Sequence, residues 1–186
     1  MKLLKKVANL LRRVKRKYFK PRILRRFETV GTAEPRKRVQ LPAEGEQQPV
    51  VYRVAAYGEL AETKKRLSSL LKAKYADLIR GRSILIKFNL NTANPYPASV
   101  SPRMLRTVTE VLLELGAKKV MAGDCCTISL LPTKNQVRKA GLVEALAGMA
   151  EVICFDETPW VTVPIAGHYL KEVTVPQPAL EAETII

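Results

Sequence analysis

The sequence predicts an α/β protein: a mostly parallel sheet with alternating β-α units, a small β-hairpin near the C-terminus and a basic N-terminal helix. Three observations predict it. From residue 50 onward, short β-branched runs alternate with segments of helical apolar spacing. Glycines and a proline-led cap fall where those helices should stop or start. The positive charge gathers at one end of the chain.

That charge divides the chain in two. Residues 1–40 hold 15 Lys and Arg against Glu28 and Glu34, so this segment carries +13 of the net +15. Residues 41–186 hold 17 basic and 15 acidic side chains and are nearly neutral. The high pI therefore describes an arm, and the domain has no electrostatic reason to bind nucleic acid. An aromatic content of 6% also argues against a base-stacking platform. A chain of 186 residues suffices for one domain with its own core and an appendage. The expected division is a basic amphipathic helix and linker over 1–48, followed by an α/β domain over 49–186.

In residues 2–19, Leu3, Leu4, Val7, Leu10, Leu11, Val14 and Tyr18 recur at helical spacing, with Lys and Arg mostly on the other face. Pro21 permits at most a kinked continuation through Ile23 and Phe27. Residues 31–49 mix Gly, Pro, Glu and Gln without a period and read as a linker. The run 50–57 is β-branched and apolar, which predicts the first strand. Residues 59–79 repeat Leu60, Lys64, Leu67, Leu70, Leu71, Tyr75 and Leu78 at helical spacing before Gly81. Residues 83–88 form a continuous apolar run, as in a strand buried on both faces. A long polar loop over 89–101 leads to Ser101-Pro102, a side-chain cap followed by proline at the first helical position. The helix that follows carries Met104, Leu105, Val108, Val111, Leu112 and Leu115, and Gly116 closes it. Further elements are a strand over 119–122, a helix over about 134–147, a strand over 151–155 and a hairpin around Ala166-Gly167-His168. The last residues, 180–186, read as the end of a helical turn leading into a new buried strand. The expectation here is a fragment of a domain that continues past Ile186, a truncated reading frame, or one half of a paired assembly such as a homo-oligomer.

Cys125, Cys126 and Cys154 are too few and too irregular for a disulfide framework, and His168 is the single histidine. A zinc or iron–sulfur site built from this chain alone would lack ligands. No Gly-rich nucleotide loop is present. No apolar run is long enough to span a bilayer, and Lys5, Lys6, Arg12 and Arg13 interrupt the stretch a signal peptide would need. The expected location is cytoplasmic, membrane-peripheral if the arm engages lipid.

The segments Ile84-Leu85-Ile86-Lys87-Phe88-Asn89-Leu90, Ser101-Pro102, Gly116-Ala117-Lys118 and Gly123-Asp124 occur in this order. In order and spacing they resemble the domain-of-unknown-function family 362, over roughly residues 50–186. That family's pattern is a strand ending in Lys-Pro-Asn, a Thr- or Ser-led helix, then Gly-Ala-Lys before a strand ending in Gly-Asp-Ser. Phe88 stands here in place of the Pro and Cys125 in place of the Ser. Members commonly continue into a Pro-Lys-x-Lys-x-His strand, and some carry a ferredoxin-like cluster domain. Neither segment occurs in these 186 residues. The resemblance thus implies iron–sulfur redox chemistry only through further sequence or a partner, and leaves the cofactor unknown.

In open parallel sheets, ligands bind beyond the carboxyl ends of the strands. Two predicted strands end in polar residues there. If they are neighbours, Lys87, Asn89, Asp124 and Thr127 converge, and Ser101 opens a helix facing the same rim. That set suits a small anionic ligand. Lys87 would bind or polarise it, and Asp124 would act as a base or hold a metal. Asn89, Ser101, Thr127 and Cys125 would complete the ligand-binding set. The structural alternative is that Asn89 and Asp124 cap turns, Lys87 points to solvent and Cys125 fits a tight loop. Cys154 reads as inert in its strand, Trp160 as a packing anchor, and His168 as exposed in its turn. The basic arm, residues 1–28, is compatible with an anionic membrane surface, with nucleic acid or another polyanion, with docking on a partner, and with a mitochondrial-type address. Its bulky apolar stripe favours the membrane surface.

Overall fold

The computed structural model describes residues 29–34, 51–54, 56 and 59–186. The amphipathic stretch 2–19 lies outside them. The main sheet consists of β2 (Ser83–Lys87), β3 (Lys119–Asp124), β4 (Glu151–Cys154) and β7 (Thr184–Ile185), in the order β4-β3-β2-β7. Every neighbouring pair is parallel. Parallel neighbours require crossovers. These are supplied by α2 (Pro102–Glu114) between β2 and β3, and by α3 (Thr133–Lys139) and α4 (Leu142–Leu146) between β3 and β4. A long helix, α1 (Leu60–Ile79), precedes β2. The mixed α/β architecture with a parallel sheet is the one expected.

The apolar run of β2 is buried on both faces because alternate residues serve different cores. Ile84, Ile86, Phe88 and Leu90 join Val120 and Ala122 beneath Leu105 and Leu112 of α2 and Val137 of α3. Leu85 faces the other way and packs with Met121, Ile153, Phe155 and Ala182. Each fully buried aliphatic of this kind contributes roughly 1.5–3 kcal/mol. Two buried threonines of α2 return their hydroxyls to the helix itself, Thr107 to the Arg103 carbonyl and Thr109 to the Leu105 carbonyl, both at 2.9 Å. Lys64 of α1 ties the two long helices together by pairing with Glu110 at 3.0 Å and Glu114 at 2.6 Å.

A second, three-stranded sheet has the order β1-β5-β6. Its hairpin, β5 (Trp160–Pro164) with β6 (Glu172–Pro176), is antiparallel and lies where the sequence predicts it, with His168 exposed in the turn. Its third strand, β1 (Thr29–Thr32), runs parallel to β5, with Thr29 opposite Trp160.

Five details depart from expectation. Residues 51–54 and 56 belong to no strand, and Val51 is 89% exposed. A β-branched run without a partner strand does not form a ladder, so β7 and not this segment completes the main sheet. Residues 31 and 32, expected in the linker, lie in β1; the bulge between Thr29 and Gly31 hides any alternation. The helix over 134–147 is two helices, because Gly141 adopts φ 68° between them. The terminal strand is present but not buried: Ile185 and Ile186 are exposed at the sheet edge. Tyr75 and Leu78 of α1 are also exposed, so only part of its predicted apolar stripe is covered.

Gly123 is required by packing. A Cβ there would lie 2.5 Å from Cε1 and 2.8 Å from Cζ of the Phe155 ring. Gly123→Ala should therefore destabilise the fold by roughly 1–3 kcal/mol in urea unfolding. The penalty should shrink in a Phe155→Leu background, and an equal penalty in both backgrounds would show that the ring is not its cause.

Candidate functional site

The register of β2 on β3 sets Lys87 opposite Gly123, so the two strands end level and Asp124 follows directly. Lys87 Nζ lies 2.8 Å from Asp124 Oδ1. The same ammonium donates to the Phe88 carbonyl at 2.7 Å. Asp124 Oδ2 accepts the Leu90 N–H at 2.6 Å. The carboxylate is thus engaged at both oxygens, and its side chain is 7% exposed against 49% for Lys87. An ammonium has three donors. Two of them hold Lys87 in place, which leaves a third at the carboxyl rim of the sheet.

Asn89 and Ser101 are brought together elsewhere on the rim. They line a cavity of about 540 Å³ with Leu60, Tyr96, Val100 and Met104. The loop returns to the strand end through the Asn89 carbonyl, which accepts the Val100 N–H at 2.9 Å. Ser101 caps α2 as the sequence predicts, its Oγ accepting the Met104 N–H at 3.4 Å. The Leu105 N–H goes to the Ser101 carbonyl and Pro102 has no N–H, so Arg103 carries the one first-turn donor these contacts leave. The helix start therefore offers an anion less than an uncapped one would. Lys87 and Asp124 do not line this cavity, so the predicted set falls into two groups.

Thr127 is exposed, and its N–H donates to the Asn91 carbonyl at 3.2 Å, tying the exit loop of β3 to that of β2. Cys125 is half-buried, and Thr133 Oγ1 lies 3.9 Å from its Sγ. The same hydroxyl oxygen accepts the Cys126 N–H at 3.0 Å, and the Thr133 N–H donates to Asp156 Oδ2 at 3.3 Å. All three cysteines are free thiols. Burial pushes the Cys125 and Cys126 thiols up, with the Thr133 hydroxyl opposing and the Asp156 charge adding to the rise. Burial, followed by the Asp156 and Glu157 charges, pushes Cys154 up to about 12. These are conditions for neutral, weakly nucleophilic thiols. Sequence reasoning missed Thr133 and Asp156. Pro132-Thr133 could have signalled the start of α3, but nothing local to Asp156 marks it as the partner of that helix. Among the described residues no group of three or more His, Cys, Asp or Glu could hold a metal ion.

A family model described as Domain of unknown function (DUF362) matches residues 84–186, more than half of the chain. The match begins inside β2 and takes in every predicted site residue. No curated protein and no solved structure matches.

Asp124→Ala should orphan the buried Leu90 N–H and cost roughly 1–3 kcal/mol. Asp124→Asn, which retains an acceptor, should cost less. Thermal unfolding of both variants checks this, and equal losses would reduce the Leu90 bond to a minor contribution. The thiols supply a pH prediction. The Cys154 value is raised, so the stability that this thiol lends is complete below about 9, the ordinary thiol value, and is lost as pH climbs towards about 12. Iodoacetamide at pH 9 should accordingly modify Cys154 in the native protein far more slowly than in urea, as read by peptide mass mapping.

Proposed function

The chain belongs to the Domain of unknown function (DUF362) family, and from that premise we propose that it binds a small anionic ligand at the carboxyl ends of β2 and β3. One observation carries the reading. The Lys87 ammonium is held at the strand end by Asp124 and the Phe88 carbonyl, half-exposed and with one donor left over. A cation fixed in this way loses little entropy on meeting a carboxylate or phosphate oxygen. In this reading Lys87 is the binding group. Asp124 is a positioning residue, because both of its oxygens are engaged. Asn89 and Ser101 border the adjoining cavity and supply polar contacts to the ligand's remainder. Thr127 holds the loop, and Cys125 is a neutral neighbour. Iron–sulfur redox chemistry would reach such a site through further sequence or a partner protein, since the described residues provide no ligand set of their own.

A second reading rests on a separate observation, the +13 charge of residues 1–40. It makes the chain a binding module that the basic arm tethers to an anionic membrane surface. Among the described residues no helix is long and apolar enough to cross a membrane.

The ligand reading is tested by thermal unfolding with inorganic phosphate and with succinate as probes. A ligand at a hundred times its Kd stabilises by about 2.7 kcal/mol, so at least one probe should raise the Tm by several degrees. Lys87→Gln should abolish the rise relative to its own unliganded Tm. No rise with either probe, or the same rise in the variant, removes the reading.

A further inference from the structure

The pairing of β1 with β5 determines at which end of the fold β1 begins. Thr29 lies opposite Trp160, and β1 then runs in the same direction as β5. β1 therefore begins at the Trp160 end of the small sheet. Trp160 is itself fastened to the main sheet: its Nε1 donates at 2.8 Å to the carbonyl of Phe155, the first residue after β4. Because β4 is parallel to β3 and β2, the end of β4 belongs to the same rim as Lys87 and Asp124. The start of β1, which residues 1–28 precede in the sequence, and the candidate site thus share one end of the described fold. Adjacent strands are about 4.8 Å apart, so the ends of β4, β3 and β2 span roughly 10 Å.

That end also carries exposed apolar side chains. Tyr96, on the loop after β2, is 72% exposed, and Ile128, on the loop after β3, is 58% exposed. The Thr127 N–H to Asn91 carbonyl bond links the two loops. Residues 1–28 bring 12 Lys and Arg with a single acid, Glu28, and an apolar stripe in 2–19. Basic charge beside protruding aromatic and aliphatic side chains is the chemistry of an interfacial membrane contact. Nucleic acid would use the charge but not the apolar protrusions.

We propose that the carboxyl rim is the face this protein presents to an anionic lipid surface, the arm supplying the charge and Tyr96 and Ile128 entering the interface. The proposal rests on the tethering reading and adds an orientation: the opening of the candidate site is turned towards the membrane. A ligand there would be collected at the lipid interface.

The fold contains its own control. At the other end of the small sheet, in the turn between β5 and β6, Tyr169 is 91% and Leu170 61% exposed, at least as protruding as the rim pair. The experiment is flotation of the full chain with vesicles of phosphatidylcholine containing 20% or no phosphatidylserine. The unsubstituted chain should float only with the anionic vesicles. The double variant Tyr96→Glu/Ile128→Glu should lose at least tenfold in apparent affinity. Tyr169→Glu/Leu170→Glu, which adds the same charge, should change it less than twofold. Equal losses, or a larger loss for the turn pair, overturn the orientation. Failure of the unsubstituted chain to float overturns the tethering reading as well, and tight binding of single-stranded RNA by that chain would then assign the arm to nucleic acid. Hydrogen exchange of the unsubstituted chain supplies a check that needs no variant: anionic vesicles should protect residues 94–98 and 127–130 and not 167–170. The phosphate and succinate melts in the absence of lipid decide the ligand reading independently.

Discussion

β2 and β3 run side by side, parallel and in register from Ser83 and Lys119 to Lys87 and Gly123, and both faces of the pair are covered. Much of the rest follows from this arrangement. Parallel strands cannot be joined by a tight turn, so the chain must cross over through α2. A sheet buried on both faces needs two cores, and alternate residues of β2 serve them. Because the strands end level, polar side chains that cannot enter either core collect at one rim. The Lys87–Asp124 pair is a product of that geometry, and the Leu90 N–H bond to Asp124 continues it into the loop.

The second face of the sheet is organised around Phe155. Its ring lies over Gly123, where any side chain would collide, and its carbonyl receives Trp160 Nε1. One residue thereby packs the lower core and anchors the small sheet. Beside it, Asp156 holds the start of α3 through Thr133, whose hydroxyl in turn meets Cys125 and Cys126. The cysteines sit in a structural polar cluster whose burial and negative charge keep them protonated. This chemistry differs from that of the Lys87 ammonium a strand away.

The small sheet has a topological consequence. It is joined to the main sheet at the carboxyl end of β4, and its first strand follows directly on the most basic segment of the chain. The start of β1 and the candidate site therefore belong to the same end of the described fold, although about 60 residues of sequence separate Thr29 from Lys87. The edge at β7, with Ile185 and Ile186 exposed, reaches the same rim, where the Lys87 N–H donates to the Ile186 carbonyl at 2.8 Å.

By itself the sequence determined those features whose causes are local. The Ile84–Ile86 run spelled a two-faced strand, Ser101-Pro102 a helix start and Gly116 a helix stop. It also put Lys87 and Asp124 at strand ends, where a ligand of an α/β sheet would be sought. Only the tertiary structure decided the matters that depend on partners distant in the chain. Residues 51–54 have strand composition but no neighbouring strand, whereas Thr29–Thr32, broken by Gly31, find one in β5. Asn89 and Ser101 share a cavity that Lys87 does not line, because side-chain direction and loop path are set by packing. Asp156 became the partner of Thr133 across 23 residues, with no local signal to announce it. The physical reason is common to all of these: propensity and capping act within a few residues, while strand pairing and burial are decided by whichever distant segment arrives alongside.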